Sequence, residues 1–172
     1  GRVSLRVLVK KNISDWEDAN QVDEYLRKIL RKEAFDKTGL IYGLGHAVYT
    51  ISDPRTGLLK EMARDLAKEK GREKEFALME LIENRIVEVF RESKKSNAKA
   101  NVCVNVDFYS GFVYDAIGLP TEVFTPLFAM ARIVGWSAHR IEEMNFSSKR
   151  LIRPAYKNVR ELQGFIPINE RK

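Results

Sequence analysis

The chain reads as an all-α protein, on three observations. Apolar residues recur at helical spacing in successive segments, those segments are bracketed by capping residues and by glycine or proline stops, and no pair of β-rich runs flanks a hairpin turn. A length of 172 residues, 44% of them hydrophobic, is enough for one domain with one ordinary core. Charged residues make up 31%, which sets the chain apart from disordered, collagen-like and disulfide-scaffold compositions.

Taking the elements in order, residues 1–12 carry no clear amphipathic spacing and do not start with methionine. They read as a processed leader of uncertain native status. The stretch NISDWED pairs Ser14 with Glu17 at capping-box spacing in an acid-rich turn, so a short helix is expected to open there. Over 21–32, Val22, Leu26, Ile29 and Leu30 form an apolar stripe with Glu24 and Lys28 as an outward pair, which predicts an amphipathic helix. The glycines and the pre-proline aspartate of LIYGLGHAVYTISDPR resist helix, making 38–52 an ordered loop or a short extended pair.

Asp53 is then an N-cap, and Pro54 takes the first helical position, where its missing N–H costs nothing. Leu59, Met62, Ala63 and Leu66 supply the expected buried stripe of a helix over 54–70, which Gly71 stops. A helix over 72–93 follows, with Phe76, Met79, Ile82, Ile86, Val89 and Phe90 inward, ending at SKKSNAK. Asn105 caps another over 106–117, whose apolar residues are Val106, Tyr109, Phe112, Val113, Ala116 and Ile117, closed by Gly118 and Pro120. The last long helix spans 122–144, with Pro126 early enough to cause only a modest irregularity. The organisation expected is therefore a helical domain over 13–144 followed by a basic segment over 145–172.

The net charge of +6 raises the question of nucleic acid, and its distribution argues against it. Residues 1–12 hold +4 and residues 145–172 hold +5, which leaves 13–144 at −3. A duplex-binding body would carry its basic face within the fold, and no zinc-finger spacing or aromatic-interleaved basic strand is present. No apolar run reaches the length of a membrane helix and no signal-peptide pattern stands at the start. With the single Cys103 unable to bridge internally, a soluble protein of a reducing, cytoplasmic compartment is expected. One cysteine and two distant histidines give no metal site.

Four residues stand where packing alone would not put them. Arg55 sits in the first turn of a helix, facing the positive end of the macrodipole; it either reaches solvent or clamps an anion beside the helix-terminal N–H groups. Arg132 interrupts an aromatic stripe of Phe124, Phe128 and Trp136 that should face the core, so it either snorkels outward or meets a buried anion. Asp107, in the first turn after Asn105, is an ordinary helix-start acid or a carboxylate kept ionised as a base. His46 lies in GLGH, whose glycines let backbone approach a ligand closely, although no third glycine completes a dinucleotide fingerprint. His139, four residues before Glu143, reads as a solvated or intrahelical partner. From the residues alone, His46, Arg55, Asp107 and Arg132 make a candidate polyanion pocket of open chemistry.

Four segments taken together resemble the C-terminal half of the citrate synthase family: GLGHAVYTISDPR at 43–55, NVDFYSGFVY at 105–114, PTEVFTPLFAMARIVGW at 120–136 and LIRPAY at 151–156. They occur in the family's order, and the resemblance runs from about 13 to 159. It implies the small helical domain of that acyltransferase fold and condensation of acetyl-CoA with oxaloacetate to citrate and CoA. The motifs are equally similar to those of 2-methylcitrate synthases.

By this resemblance His46 would hydrogen-bond the ketone oxygen of oxaloacetate, and the backbone of Leu44, Gly45 and Ala47 would approach coenzyme A. Arg55 and Arg132 would bind carboxylates, and Asp107 would take the proton from the methyl of acetyl-CoA. Arg153 resembles the arginine that reaches into a neighbouring subunit's site, which implies a homodimer in the intact enzyme. No tightly bound cofactor is implied, since coenzyme A is a substrate, and neither nucleic acid nor membrane is an expected partner. The family's thioester-polarising histidine belongs to a large domain upstream, and residues 1–40 contain no histidine. Thr50 stands where some members place a basic residue near the CoA phosphates. The chain alone is therefore expected to be nearly inactive. A non-catalytic CoA or metabolite-binding module would tolerate loss of Asp107, and a purely structural module would tolerate loss of Arg55 and Arg132.

Overall fold

A computed structural model describes residues 5–49, 51–93, 102–147, 164 and 166–171. The described residues form six α-helices and no named strand: α1 (Leu5–Asn12), α2 (Ala19–Leu30), α3 (Pro54–Glu69), α4 (Glu73–Ser93), α5 (Val106–Ala116) and α6 (Phe124–Met144), of which α2 to α6 follow the predicted periodicity. Two compact units divide the chain, Gly1–Met130 and Ala131–Lys172.

In the first unit α4 is the central element. It packs against α2 on one side and α3 on the other, α5 lies on α3, and α1 rests on α2 and α4. Val22, Leu26 and Ile29 of α2 meet Met79, Ile82, Ile86 and Val89 of α4 in a core that also takes Phe108, Tyr109 and Phe112 from α5. Each of these follows from an i, i+3/i+4 stripe finding a facing stripe.

Three sequence expectations change. Residues 5–12 form a helix that belongs to this core, with Leu5 and Val9 buried one turn apart and Arg6 buried beside them. That two-residue stripe is too short to register as amphipathic in sequence, and its arginine disguises it further. Arg6 is accommodated because it pairs with Glu75 and, at 2.9 Å, with Asp115, while its guanidinium lies 5.5 Å from the centre of the Phe112 ring.

The expected capping box at Ser14 and Glu17 does not form a helix. Gln21 reaches back to accept from the Ser14 amide at 3.0 Å, and Asp18 caps α2 by accepting from the Asn20 amide. Two strong N-cap candidates compete within five residues, and the one adjoining the apolar stripe wins.

The buried face of α3 keeps Ala63, with Leu59 and Leu66 half-buried, but differs at Met62. Thr56, Ala63 and Ala67 are buried, while Met62 is 62% exposed. Small residues face inward because α3 is flanked closely by both α4 and α5, which leaves room for alanine and threonine rather than methionine. Along α5, Phe108 and Ser110 join Tyr109 and Phe112 in the interior, while Ile117 is exposed.

In the second unit, every residue of α6 from Ala131 to Glu142 is exposed. Of the stripe expected to face the core, Phe124 and Phe128 are half-buried, whereas Arg132 and Trp136 are exposed. Pro126 is accommodated near the start of α6, after a 3-10 turn at Thr121–Val123. His139 lies 3.7 Å from Glu142 and Arg140 pairs with Glu143 at 2.8 Å, both intrahelical contacts. No helix of the described residues is long and apolar enough to cross a membrane.

Candidate active site

The loop between α2 and α3 is joined to the strand-like entry of α5. Leu44 and Val104 form an antiparallel bridge; the Gly45 amide donates to the Cys103 carbonyl at 2.8 Å, and the Asn105 amide donates to the Gly43 carbonyl at 2.9 Å. This resolves the loop-or-extended alternative into a loop with one isolated pairing. Gly43 and Gly45 adopt φ of +91° and +83°, in the left-handed region. At Gly43 a Cβ would stand 3.2 Å from the Cα of Phe108, so this glycine is what lets the loop lie directly on α5.

His46 follows Gly45 and is fixed by its own loop. Its Nδ1 accepts from the amides of Val48 at 3.0 Å and Tyr49 at 3.1 Å. An imidazole nitrogen that accepts carries no proton, so these two bonds assign the ring proton to Nε2 and turn Nε2–H outward as a donor. The ring leans on Tyr49, with ring centres 4.7 Å apart.

Arg55 lies alongside. Its Nη2 is 3.4 Å from His46 Nε2 and its guanidinium carbon is 5.5 Å from the centre of the Tyr49 ring. With the ring proton on Nε2, both groups are donors facing the same space. Two convergent donors with no acceptor between them are suited to an oxygen-rich ligand.

The Nε and Nη2 edge of Arg55 is occupied by a residue that the sequence marks only as a cap. Asp53 accepts from Arg55 Nε at 2.9 Å and from Nη2 at 2.8 Å, while also accepting from the Arg55 amide as the N-cap of α3. Its second oxygen accepts the Val106 amide at 3.1 Å. The Asp53 side chain is fully buried, whereas that of Arg55 is 46% exposed. The Arg55 guanidinium holds the Asp53 carboxyl down at about 2, against the opposing effect of burial. The choice left open for Arg55 thus takes a third form: its charge is paired with Asp53 through Nε and Nη2, and the same Nη2 lies 3.4 Å from His46 Nε2.

Asp107 occupies the first turn of α5, exposed, its amide donating to the Asn105 side chain at 3.0 Å. Asn105 also donates from Nδ2 to the Gly45 carbonyl at 2.8 Å. One side chain therefore caps the Asp107 helix and holds the His46 loop.

The first unit thus brings His46 and Arg55 together and fastens their loop to the helix that carries Asp107. Leu44, Gly45 and Ala47 form the backbone of that loop. Arg132 lies in the second unit, exposed on α6, and Arg153 lies outside the described residues. Sequence reasoning missed the second roles of Asp53 and Asn105 and the packing of Tyr49. The Asp-Pro-Arg spacing was the one available signal, because a cap and an arginine two residues later can share a carboxylate. Among the described residues no group of three or more His, Cys, Asp or Glu side chains is placed to hold a metal ion.

Residues 6–155 match the family model described as citrate synthase, C-terminal domain. The chain is 34% identical over 165 residues to a citrate synthase of Acidithiobacillus ferridurans, covering 95% of this chain and 39% of that protein. It is 35% identical over 144 residues to a 2-methylcitrate synthase of Shewanella oneidensis, covering 83% of this chain and 34% of that one. The chain therefore spans about two fifths or less of these relatives' lengths.

Among solved structures, the citrate synthase of Thermotoga maritima matches with a TM-score of 0.58 at 33% identity, over 96% of this chain and 40% of that one. The citrate synthase of Thermoplasma acidophilum, in a ternary complex with carboxymethyl coenzyme A and oxaloacetate, matches with a TM-score of 0.60 at 27% identity, again over 96% of this chain and 40% of that one. A family match across most of the chain, carried on an all-helical fold that these structures share, establishes that the chain belongs to the citrate synthase family.

Proposed function

We propose that this chain carries the part of a citrate synthase-type acyltransferase that grips a 2-oxo acid and supplies the enolising base, for condensation of acetyl-CoA with oxaloacetate. The observation that carries the reading is the approach of Arg55 Nη2, a nitrogen that Asp53 also grips, to 3.4 Å from His46 Nε2, where the second Nη2 proton and the imidazole N–H are both donors. A ketone oxygen on His46 beside a carboxylate on Arg55 describes a carbonyl carbon bonded directly to a carboxyl carbon, which is a 2-oxo acid. The neutral imidazole donates to the ketone oxygen, and the negative charge that develops there on carbon–carbon bond formation is met by both donors.

Asp107, by its resemblance to the family's base, takes a proton from the methyl group of acetyl-CoA. The resulting enol carbon bonds to the ketone carbon, and the citryl thioester is then hydrolysed to citrate and CoA. Asp107 stands exposed in the first turn of α5, where the positive end of the helix dipole faces its carboxylate. Leu44, Gly45 and Ala47 present loop backbone to coenzyme A, and Arg132 and Arg153 bind carboxylate, the latter from a neighbouring subunit of a homodimer. Residues 1–172 in isolation turn over little, because by the family resemblance the donor that polarises the thioester belongs to a large domain outside them; loss of one such donor costs on the order of 10²–10³ in rate. A soluble protein of the cytoplasm remains part of the proposal.

Calorimetric titration of the purified chain with coenzyme A, at two salt concentrations and again on His46→Ala, tests the binding half. Saturable binding that weakens in the variant is expected; a folded chain that binds no CoA would overturn a preformed CoA loop. Mixing residues 1–172 with the large domain of a citrate synthase relative and assaying citrate tests the chemistry.

A second reading replaces acetyl-CoA by propionyl-CoA. The 35% identity to a protein named 2-methylcitrate synthase favours keeping it in view. The reconstituted mixture offered both thioesters decides between them by product.

A further inference from the structure

We propose that Asp53 is a positioning residue for substrate binding: it grips Arg55 through Nε and Nη2 while accepting the Val106 amide, and so holds Nη2, the nitrogen that approaches His46, and the guanidinium plane toward the space in front of that ring. The assignment rests on the 2-oxo acid reading above and deepens it, because it names what sets the direction of the arginine.

An arginine side chain has several rotatable bonds, and one that is 46% exposed would ordinarily sample many of their rotamers. Arg55 does not have that freedom. Asp53 takes Nε–H and one Nη2–H in a side-on fork, a geometry that fixes both the position and the plane of the guanidinium. Tyr49 stands across from it at 5.5 Å and limits the remaining motion. What stays available to a ligand is the Nη1 and Nη2 end, the part that lies nearest His46.

The carboxylate that does this is itself immobile. Asp53 is fully buried and is bound to two helix starts, the α3 N-terminus through the Arg55 amide and the α5 N-terminus through the Val106 amide. The arginine is therefore referenced to the same backbone that places Asp107, the next residue along. The pairing also offsets the charge of Arg55, so a carboxylate ligand is held through geometry more than through net attraction.

The role separates from simple helix capping by choice of substitution. Asparagine is as good an N-cap as aspartate, so Asp53→Asn keeps the cap of α3 but loses the charged fork. Asp53→Ser keeps a cap with no fork at all and provides a second variant should the first fold poorly. Nitrogen-15 spectra of the Arg55 Nε–Hε group report the grip directly, and calorimetry with oxaloacetate reports its consequence.

In the wild type the Nε–Hε signal should be resolved from that of free arginine and exchange slowly with water, and in Asp53→Asn it should move to the free position. Oxaloacetate should bind about tenfold or more weaker in Asp53→Asn and in Arg55→Ala alike, with no further loss in the double variant, because the two changes remove one interaction. A wild-type signal like that of free arginine overturns the proposal. So does unaltered oxaloacetate binding by Asp53→Asn, or losses that multiply in the double variant, which mark Asp53 as merely structural. Should the wild-type chain bind no oxaloacetate, the 2-oxo acid reading falls, and the Arg55 signal alone then decides whether Asp53 holds the guanidinium.

Discussion

The side-chain amide of Asn105 donates to the Gly45 carbonyl at 2.8 Å while its oxygen accepts the Asp107 amide at 3.0 Å, so one residue joins the histidine loop to the aspartate helix. Asn105→Ala should therefore cost more than an ordinary cap, about 2 kcal/mol for the cap and the loop bond together. Asn105→Asp should keep the cap and lose the donor, leaving two acceptors face to face at Gly45. Urea unfolding of both variants checks this, with amide exchange at Gly45 rising in each; protection equal to wild type in Asn105→Asp would show that the loop does not depend on the side chain.

Acid should weaken the fold through Asp53. Its folded value of about 2 lies below its ordinary value of 3.8, so its contribution is fully present above the ordinary value and is lost as pH falls from there through about 2. With allowance for the exposed guanidinium, that contribution is about 1–2 kcal/mol. Chemical denaturation across this window should show stability falling with pH, and Asp53→Asn should fall less steeply. An identical slope in the two proteins would remove Asp53 as a source.

Arg6 ties α1 to α4 and α5 through Glu75 and Asp115, a cluster that Lys10 joins at Glu75 and Arg72 joins at both. Burial pushes the Glu75 and Asp115 carboxyls up, but these cations outweigh it and hold both below their usual range. Arg6→Ala leaves a void beside Phe112 and removes one cation from two acids that Arg72 still contacts, so a loss of about 2–3 kcal/mol is expected. Arg6→Met restores volume without charge and should recover part of it. Thermal unfolding of the two variants gives the comparison, and a neutral Arg6→Ala would contradict the placement of α1 in the core.

Two glycines of positive φ should respond differently to alanine. Gly71 has φ +63° and open space where a Cβ would go, so Gly71→Ala carries only the backbone penalty, about 1 kcal/mol. Gly43 has φ +91° and would place a Cβ 3.2 Å from Phe108, adding a steric cost for a total of about 2–3 kcal/mol. Circular dichroism melts should rank them in that order, and Gly43→Ala should also weaken any ligand bound at His46.

What the sequence determined by itself is what short-range physics can specify. The stripes of α2 and α4, the Asp53 and Asn105 caps and the glycine stop at Gly71 all arise within a few residues of chain, so they are legible at once. The charge anomaly at Arg55 was legible for the same reason, since a cation in a first helical turn is unfavourable wherever it occurs.

Only the tertiary structure decided which face of α3 turns inward, that α1 joins the core, and what Arg55 is paired with on its inner edge. Each depends on residues far apart in sequence: α5 crowding α3, Glu75 and Asp115 meeting Arg6, and the Val106 amide completing Asp53. Arg132 shows the converse, for it belongs to a stripe that is amphipathic in sequence, and yet Arg132 and Trp136 are exposed on α6 while Phe124 and Phe128 are half-buried; periodicity describes a face and not the depth to which each residue on it is covered.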